Sequence, residues 1–94
     1  MGSPIDDMYD VSIKRKVLKK LNKLPLWVQK KMALLTKDLR DLGPEQPRWQ
    51  NYSKLSSIEY HCHLSTSWVA CWKHESDTIE IEVYYVGSRE KAPY

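Results

Sequence analysis

Two histidines separated by one residue are the side chains of this sequence best suited to chemistry. They lie in the run Tyr-His-Cys-His-Leu at residues 60–64. Side chains alternate across a β-strand, so a strand here directs His61 and His63 to one face and their neighbours to the other. Imidazole, with an ordinary pKa of about 6.5, takes up or releases a proton near neutral pH. The run therefore predicts one face for chemistry and one for packing.

Three strands are predicted in the C-terminal half, because apolar and polar residues alternate there with a period of two. The runs are Leu55 to Leu64, Trp68 to His74 and Thr78 to Val86, and short polar turns join them. Short turns favour antiparallel neighbours, so the three runs predict a meander. In the third run, strict alternation predicts one face with Ile79, Ile81, Val83 and Tyr85 and another with Glu80, Glu82 and Tyr84.

Two helices are predicted upstream, each with an apolar stripe at helical spacing. The first has Ser12 as its N-cap and ends at Pro25, and its stripe is Val17, Leu18, Leu21 and Leu24. The second ends at Gly43, and its stripe is Val28, Met32, Leu35, Leu39 and Leu42.

The remaining segments complete the predicted fold. The alternation of Tyr9, Val11 and Ile13 predicts a short N-terminal strand that joins the sheet, preceded by a polar, poorly ordered lead-in at residues 1–7. Residues 43–54 are predicted to form a loop. The 94 residues suffice for one modest core. We therefore expect a single α+β domain over residues 1–94, with the N-terminal strand and helical hairpin packed on an antiparallel sheet of about four strands.

The cysteines and the absence of long apolar runs bear on the compartment. No run approaches the roughly 20 apolar residues that would span a bilayer, and no secretory h-region is recognisable. These features predict a soluble, cytoplasmic protein. Cys62 and Cys71 lie on neighbouring predicted strands and would be close enough to bridge. Free buried thiols are the commoner arrangement in a reducing compartment, and we expect them here.

Positive charge is concentrated in the helical hairpin, although the net charge is only +3. Residues 14–31 contain no acidic residue, which favours a polyanion or an acidic protein as partner. An ordinary solvated helix face would have the same composition, and both interpretations stay open. The eight cations are Lys14, Arg15, Lys16, Lys19, Lys20, Lys23, Lys30 and Lys31.

The order of these elements and four local motifs resemble the RelE family of bacterial toxins, within the RelE/ParE superfamily. The resemblance spans nearly the whole chain. Residues 60–64 resemble the family's Tyr-Lys-Ile-Lys-Leu strand, and residues 68–72 resemble the next strand, which opens with an aromatic residue and Arg. Residues 79–87 resemble a Val- and Ile-rich strand that ends in Val-Gly. Arg89 and Tyr94 resemble the Arg and Tyr of the family's tail.

The resemblance implies a ribosome-dependent endoribonuclease that cuts mRNA in the decoding site and is silenced by a cognate antitoxin. Such chemistry needs neither a metal nor another cofactor. A base takes the proton of a ribose 2′-hydroxyl, cations stabilise the attacked phosphate, and an acid protonates the leaving oxygen. The implied catalytic residues are His61, His63, Arg89 and Tyr94. With one histidine neutral and the other charged, we expect a bell-shaped pH profile centred near pH 6 to 7.

The sequence departs from the family pattern at three positions. Histidines stand where the strand lysines are expected, and Val69 stands where the strand arginine is expected. One fixed positive charge is therefore absent, and Arg48, Lys54 or Lys73 are candidates to replace it. The candidate RNA-binding residues are Lys14, Arg15, Lys19, Lys20, Lys23, Arg48, Lys54 and Lys73.

Two other functions stay open at this point, and a metal site must be considered beside them. The ParE branch of the superfamily binds DNA gyrase without cutting RNA, and the loss of the strand arginine is compatible with such a toxin. A non-catalytic RNA-binding module would use the basic hairpin with exposed aromatic residues. A zinc site is disfavoured, because neighbouring strand residues such as His61 and Cys62 face apart. The other potential zinc ligands are His63, Cys71 and His74.

Overall fold

The structure, a computed structural model, describes residues 8–94 and contains two α-helices and a five-stranded sheet. The lead-in predicted at residues 1–7 lies outside the described residues. No helix in residues 8–94 combines the length and the apolar content needed to span a bilayer. In chain order the elements are β1 (Asp10–Ile13), α1 (Arg15–Leu21), α2 (Leu26–Leu42), β2 (Gln50–Lys54), β3 (Glu59–His63), β4 (Trp68–His74), β5 (Glu80–Ser88) and a short 3-10 helix (Arg89–Lys91).

The sheet has the strand order β1-β5-β4-β3-β2. Strands β2 to β5 pair antiparallel with their neighbours, as expected for a meander, and β1 pairs parallel with the first half of β5. The predicted N-terminal strand therefore joins the sheet. The fold class is the predicted α+β arrangement, with five strands in a mixed sheet where about four antiparallel strands were expected.

One face of the sheet packs against the helices and forms the core. Four of the five predicted stripe residues of α2 are buried, whereas Leu42 is 63% exposed because it lies at the end of the helix. Leu18 of α1 is likewise largely exposed. Trp72 is completely buried in this core, and its indole N–H donates a hydrogen bond of 3.0 Å to the carbonyl of Pro44. This bond satisfies the polar atom that a buried tryptophan brings with it.

Gly43 ends α2 in a conformation that other residues rarely adopt. Its φ is +95°, and a Cβ at this position would lie 2.8 Å from the ring of Tyr9. The Gly43 N–H donates to the carbonyl of Leu39, which completes the last turn of the helix. The absence of a side chain therefore lets the segment before β1 pack against the end of α2.

The structure corrects the predicted bounds of several elements. Residues 50–54, predicted as loop, form the edge strand β2, and β3 begins at Glu59 where a strand from Leu55 was expected. β2 has the sequence Gln-Asn-Tyr-Ser-Lys and a register irregularity, so it lacks the apolar alternation of an ordinary strand. The predicted N-cap Ser12 stays in β1, because pairing with β5 continues until Lys14 N–H donates to the Val83 carbonyl.

A β-bulge changes the predicted faces of β5. Cys71 pairs with Tyr85 and Trp72 pairs with Val83, so Tyr84 is an additional residue between the two pairs. A bulge of this kind shifts the alternation by one residue. Tyr85 therefore lies on the face away from the helices, and Val86 enters the core in its place. Ile79, predicted to share a face with Ile81 and Val83, precedes the strand and is 62% exposed.

The two cysteines are free and buried, as expected. Cys62 pairs with Ala70 across β3 and β4, whereas Cys71 pairs with His61. Because paired residues share a face, the two thiols lie on opposite faces of the sheet, and a bridge between them is geometrically impossible without moving a strand.

Candidate active site

His61 and His63 lie on the face of the sheet that points away from the helices, which we call the histidine face. Regular pairing with β4 places His61 opposite Cys71 and His63 opposite Val69. The two imidazole rings are 5.7 Å apart between centroids, and the side chains are only 8% and 7% exposed. This deep position distinguishes them from ordinary surface histidines and makes desolvation important for their titration.

The C-terminal tail covers this face. Strand β5 ends at Ser88, and the 3-10 helix that follows is anchored by a 2.9 Å hydrogen bond from the Arg89 N–H to the carbonyl of Ser67. The chain then returns so that the ring of Tyr94 lies 4.4 Å from the ring of His61, tilted by 48°. The guanidinium of Arg89 is near enough to lower the pKa of His63. The structure thus brings together all four residues proposed as catalytic from the sequence.

Tyr85 holds the beginning of the tail, a role that the sequence did not indicate. Its hydroxyl donates a 2.7 Å hydrogen bond to the carbonyl of Ser88, directly before Arg89. The ring crosses the space above Gly87, where a Cβ would lie 2.8 Å from the Tyr85 hydroxyl oxygen. The sequence pattern placed Tyr85 on the same face as Ile81 and Val83, because alternation cannot reveal the bulge that turns it to the histidine face.

The surroundings of both histidines favour the uncharged imidazole. Burial, and then the neighbouring His63, lower the pKa of His61 below its usual 6.5. Burial, and then the positive charge of Arg89, lower the pKa of His63. Burial therefore disfavours the charged form of both rings, whereas the sequence led us to expect one neutral and one charged imidazole.

The two rings differ in their hydrogen bonds. His61 Nδ1 lies 3.2 Å from the hydroxyl of Ser53 on β2, a partner that the sequence analysis missed because β2 was predicted as loop. The side chain of His63 makes no hydrogen bond within residues 8–94, yet neither of its ring nitrogens is sealed from solvent. His63 is therefore the imidazole whose nitrogens are free to meet a substrate.

The predicted substitutes for the strand arginine do not gather at the histidines. Val69 is completely buried on the histidine face. Lys54 has its ammonium 5.3 Å from the ring of Tyr60, which packs in the core, so Lys54 lies on the other side of the sheet. The Lys73 ammonium lies 3.7 Å from the Glu82 carboxylate, and Arg48 is exposed before β2. Arg89 is the cation that the structure brings near His63.

The cations in and beside α1 form two groups, one lining a cleft and one outside it. Lys14 and Lys20 line a cleft between α1 and the histidine face, together with Lys16, which was not among the predicted RNA-binding residues. The other three predicted cations of this helical region are exposed and lie outside the cleft. Lys16 and Lys20 are four residues apart and therefore share a helix face, a spacing that would have identified Lys16. The three outside the cleft are Arg15, Lys19 and Lys23.

The donor groups do not form a metal site. Within residues 8–94, no three His, Cys, Asp or Glu side chains come together in a way that would hold an ion. Burial raises the pKa of the Cys71 thiol to about 12, and raises that of the Cys62 thiol to about 12 as well. Both thiols are therefore protonated and inert at neutral pH, since the thiolate is the form that binds metals.

Comparison with known proteins identifies the fold. No protein-family model matches the chain, and no curated protein matches its sequence. Solved structures do match. The archaeal RelE–RelB complex from Pyrococcus horikoshii OT3 superposes with a TM-score of 0.73 at 16% identity, over 90% of this chain and 99% of that chain.

Two further structures superpose over most of their length. A double mutant of E. coli toxin RelE in the free state has a TM-score of 0.70 at 15% identity, over 90% of this chain and 87% of that chain. The E. coli DinJ–YafQ toxin–antitoxin complex has a TM-score of 0.69 at 14% identity, over 93% of this chain and 99% of that chain. The fold expected from the sequence is thus confirmed: this chain has the fold of the RelE-like toxins.

Proposed function

We propose that this protein is the toxin of a type II toxin–antitoxin system, and that it cuts mRNA on the ribosome without a metal. The fold likeness supports a toxin, because the similar structures are described as toxins and include RelE with RelB and YafQ with DinJ. By analogy, a cognate antitoxin is the proposed protein partner, and the ribosome and mRNA are the proposed targets. A cytoplasmic location follows from a target in translation.

One observation carries the ribonuclease proposal: the tail places Arg89 and Tyr94 against the two histidines. A proton acceptor, a fixed cation and a phenol then occupy one face. These are the types of group needed for attack of a 2′-hydroxyl on the adjacent phosphate. None of them requires an ion to be activated.

His63 is proposed as the general base. A base must be unprotonated, and burial together with Arg89 lowers the pKa of His63, so the ring is neutral at pH 7. A base must also reach its substrate, and the ring nitrogens of His63 are not engaged within the described residues. Once His63 takes the proton, the negative charge of the attacked phosphate stabilises the imidazolium.

Tyr94 is proposed as the proton donor, with His61 as the group that positions it. Burial, followed by the nearby Cys71, raises the pKa of Tyr94, so the phenol keeps its proton well above neutral pH. The His61 ring lies against the Tyr94 ring and is itself oriented by Ser53. Tyr94 would give its proton to the 5′-oxygen that leaves, and Arg89 would stabilise the charge on the phosphate.

The proposal is tested by adding the purified protein to a translating extract and mapping the ends of the mRNA. Cuts at a fixed position within codons, dependent on ribosomes, are the expected result. Gyrase arrest without cuts would replace the proposal with a ParE-type toxin. Ribosome binding with intact mRNA and intact gyrase activity would replace it with a non-catalytic RNA-binding module.

A further inference from the structure

A basic cleft of about 610 Å³ lies where α1 passes the second half of β5, next to the histidine face. Its volume is within the range of sites that hold small ligands, roughly 300 to 1,000 Å³. Four lysines line the cleft together with two tyrosines. These residues are Lys14, Lys16, Lys20, Lys73, Tyr84 and Tyr85.

The charge of the cleft favours an anion. Of its four lysines, Lys73 lies 3.7 Å from the Glu82 carboxylate, while the other three are in no ion pair within residues 8–94. Glu59 is the acidic residue in the cleft lining. Its carboxylate accepts a hydrogen bond of 3.0 Å from the Ser56 hydroxyl and interacts with the Tyr84 hydroxyl. The lysines therefore leave an excess of positive charge.

The tyrosines give the cleft an aromatic wall. Both are half-buried, so part of each side chain remains accessible from the cleft. The ammonium of Lys20 lies 5.8 Å from the centre of the Tyr85 ring, which places a cation beside an aromatic surface. Proteins that bind single-stranded nucleic acid use this combination, because the cations meet phosphates and the rings meet bases.

The cleft is continuous with the proposed reacting groups. Glu59 is two residues before His61 on the same face of β3, a separation of about 7 Å along a strand. Pro93 also lines the cleft, and the next residue, Tyr94, packs on the His61 ring. A strand of RNA that reaches the histidines would therefore pass this cleft within about one nucleotide.

We propose that the cleft is a subsite for one nucleotide of the RNA strand beside the phosphate that is cut. Lys16 and Lys20 contact its phosphate, and the tyrosine rings contact its base. This inference rests on the proposed ribonuclease function and names a part of its substrate site. Phosphates of ribosomal RNA would offer the lysines the same chemistry, so the test must separate the two sources.

The test measures binding of a single-stranded RNA of about six nucleotides, 2′-O-methylated so that it cannot be cut, in the absence of ribosomes. We compare the full chain with the double variant Lys16→Glu/Lys20→Glu by NMR titration over a range of salt concentrations. The matched control is Lys30→Glu/Lys31→Glu, which makes the same charge change on exposed residues of α2 outside the cleft.

The cleft variant is expected to bind at least roughly tenfold more weakly than the control. Its slope of log affinity against log salt should be shallower by about 0.7, since both lysines contact the same phosphate and one phosphate contact to a single strand contributes about 0.7. The milder pair Lys16→Gln/Lys20→Gln should shift both quantities in the same direction. It serves as the second variant if the reversal of charge disturbs the fold.

Two results would overturn the subsite. Equal losses in the cleft and control variants would mean that the probe senses only net charge. Absence of probe binding by the unchanged protein, with ribosome binding weakened by the cleft variant, would assign the lysines to ribosomal RNA. Because the probe cannot be cut, its binding is measured independently of the ribonuclease test. Probe binding at the cleft without cleavage in the extract would reject the ribonuclease proposal and leave the RNA-binding cleft in place.

Discussion

At the scale of single residues, the distinctive feature is a pair of buried histidines that share one face of β3. A neutral imidazole can accept a proton at pH 7, whereas an ordinary lysine is protonated. The pair therefore suits acid–base chemistry. Because the pKa of each histidine is lowered, Arg89 is the group proposed to supply the positive charge. Substitutions and pH changes at these rings test the assignment of roles.

Replacing the proposed base should remove most of the activity without disturbing the fold. We expect His63→Ala to slow mRNA cleavage by roughly 10²- to 10⁴-fold, the usual contribution of one acid or base. Single-turnover cleavage on programmed ribosomes measures the rate. His74→Ala is the control, because this third histidine is bonded to the Thr78 carbonyl and packs on Tyr9, away from the site. Equal rates for both variants would exclude His63 as the base.

The pH dependence separates Tyr94 from a second histidine as proton donor. The pKa of His63 is lowered and that of Tyr94 is raised. We therefore expect kcat/KM for cleavage to rise with pH through a value below 6.5 and then stay level past pH 8, because base and acid are then both in the required form. A bell-shaped profile centred at pH 6 to 7, as the sequence alone suggested, would instead indicate that both histidines act.

The site residues could be predicted from the sequence only where alternation along one strand determines which face they share. His61 and His63 share a face because β3 pairs regularly with β4. The low pKa values were not predictable, because they arise from burial under the tail and from the position of Arg89. The contact of His61 with Ser53 could not be predicted, because Ser53 lies on β2. That strand has no periodic pattern in the sequence and is defined by its pairing with β3.

At the scale of elements, the site depends on how β5 ends and the tail begins. The bulge turns Tyr85 toward the histidine face, and its hydroxyl then holds the Ser88 carbonyl. Gly87 leaves the space for this ring. The tail is therefore positioned by a tyrosine and a glycine that contact neither the proposed phosphate nor the leaving oxygen.

We expect Gly87→Ala to displace Tyr85, because its Cβ would lie 2.8 Å from the tyrosine oxygen. Such overpacking costs about 1 to 3 kcal/mol of unfolding free energy, and it should also lower the cleavage rate of the folded protein. Tyr85→Phe, which loses about 1 kcal/mol with the hydrogen bond, should lower the rate in the same way. Denaturant unfolding and single-turnover cleavage measure the two effects.

Gly43→Ala is the matched control for the glycine substitution. Its Cβ would also lie 2.8 Å from a tyrosine, Tyr9, and its φ of +95° adds backbone strain. Tyr9 packs on His74, however, at the end of β4 opposite to the end that pairs with Gly87. It should cost stability and leave the rate of the folded protein unchanged. A rate loss in Gly43→Ala as large as that in Gly87→Ala would mean that the tail is not specifically positioned by Tyr85.

Most of the helices and strands were predictable from the sequence, and the errors in the prediction have a common physical origin. The α2 stripe, the meander and the N-terminal strand follow from periodicities of 3.6 and 2. The edge strand β2 and the bulge in β5 were missed because each is defined by hydrogen bonds to a neighbour, not by its own residues. A shift of one residue in such pairing moves every later side chain to the other face.

At the scale of the whole molecule, the buried histidines make the fold sensitive to acid. The unfolded chain binds protons at these rings with the ordinary pKa of about 6.5, and the folded chain binds them more weakly. As the pH falls below 6.5, the unfolded chain therefore takes up protons before the folded chain does, and stability is lost progressively until the pH has fallen through the lowered pKa of the folded state. The site is thus linked to the stability of the domain.

Urea unfolding should show this linkage directly. We expect the unfolding free energy to decrease between pH 7 and pH 5, and the decrease to be smaller in His61→Gln/His63→Gln, which has no imidazoles to protonate there. The comparison is made within this window because most carboxylates titrate at lower pH. An identical decrease in the double variant would place the acid sensitivity elsewhere in the protein.

The central claim is metal-independent cleavage by a 2′-hydroxyl, and the chemical ends of the cut mRNA test it most directly. Attack of the 2′-oxygen on the adjacent phosphate, with departure of the 5′-oxygen, predicts a 2′,3′-cyclic phosphate on one fragment and a 5′-hydroxyl on the other. A single 2′-deoxynucleotide before the cut should abolish cleavage. Fragments with a 5′-phosphate, or undiminished cleavage of the 2′-deoxy substrate, would contradict the mechanism.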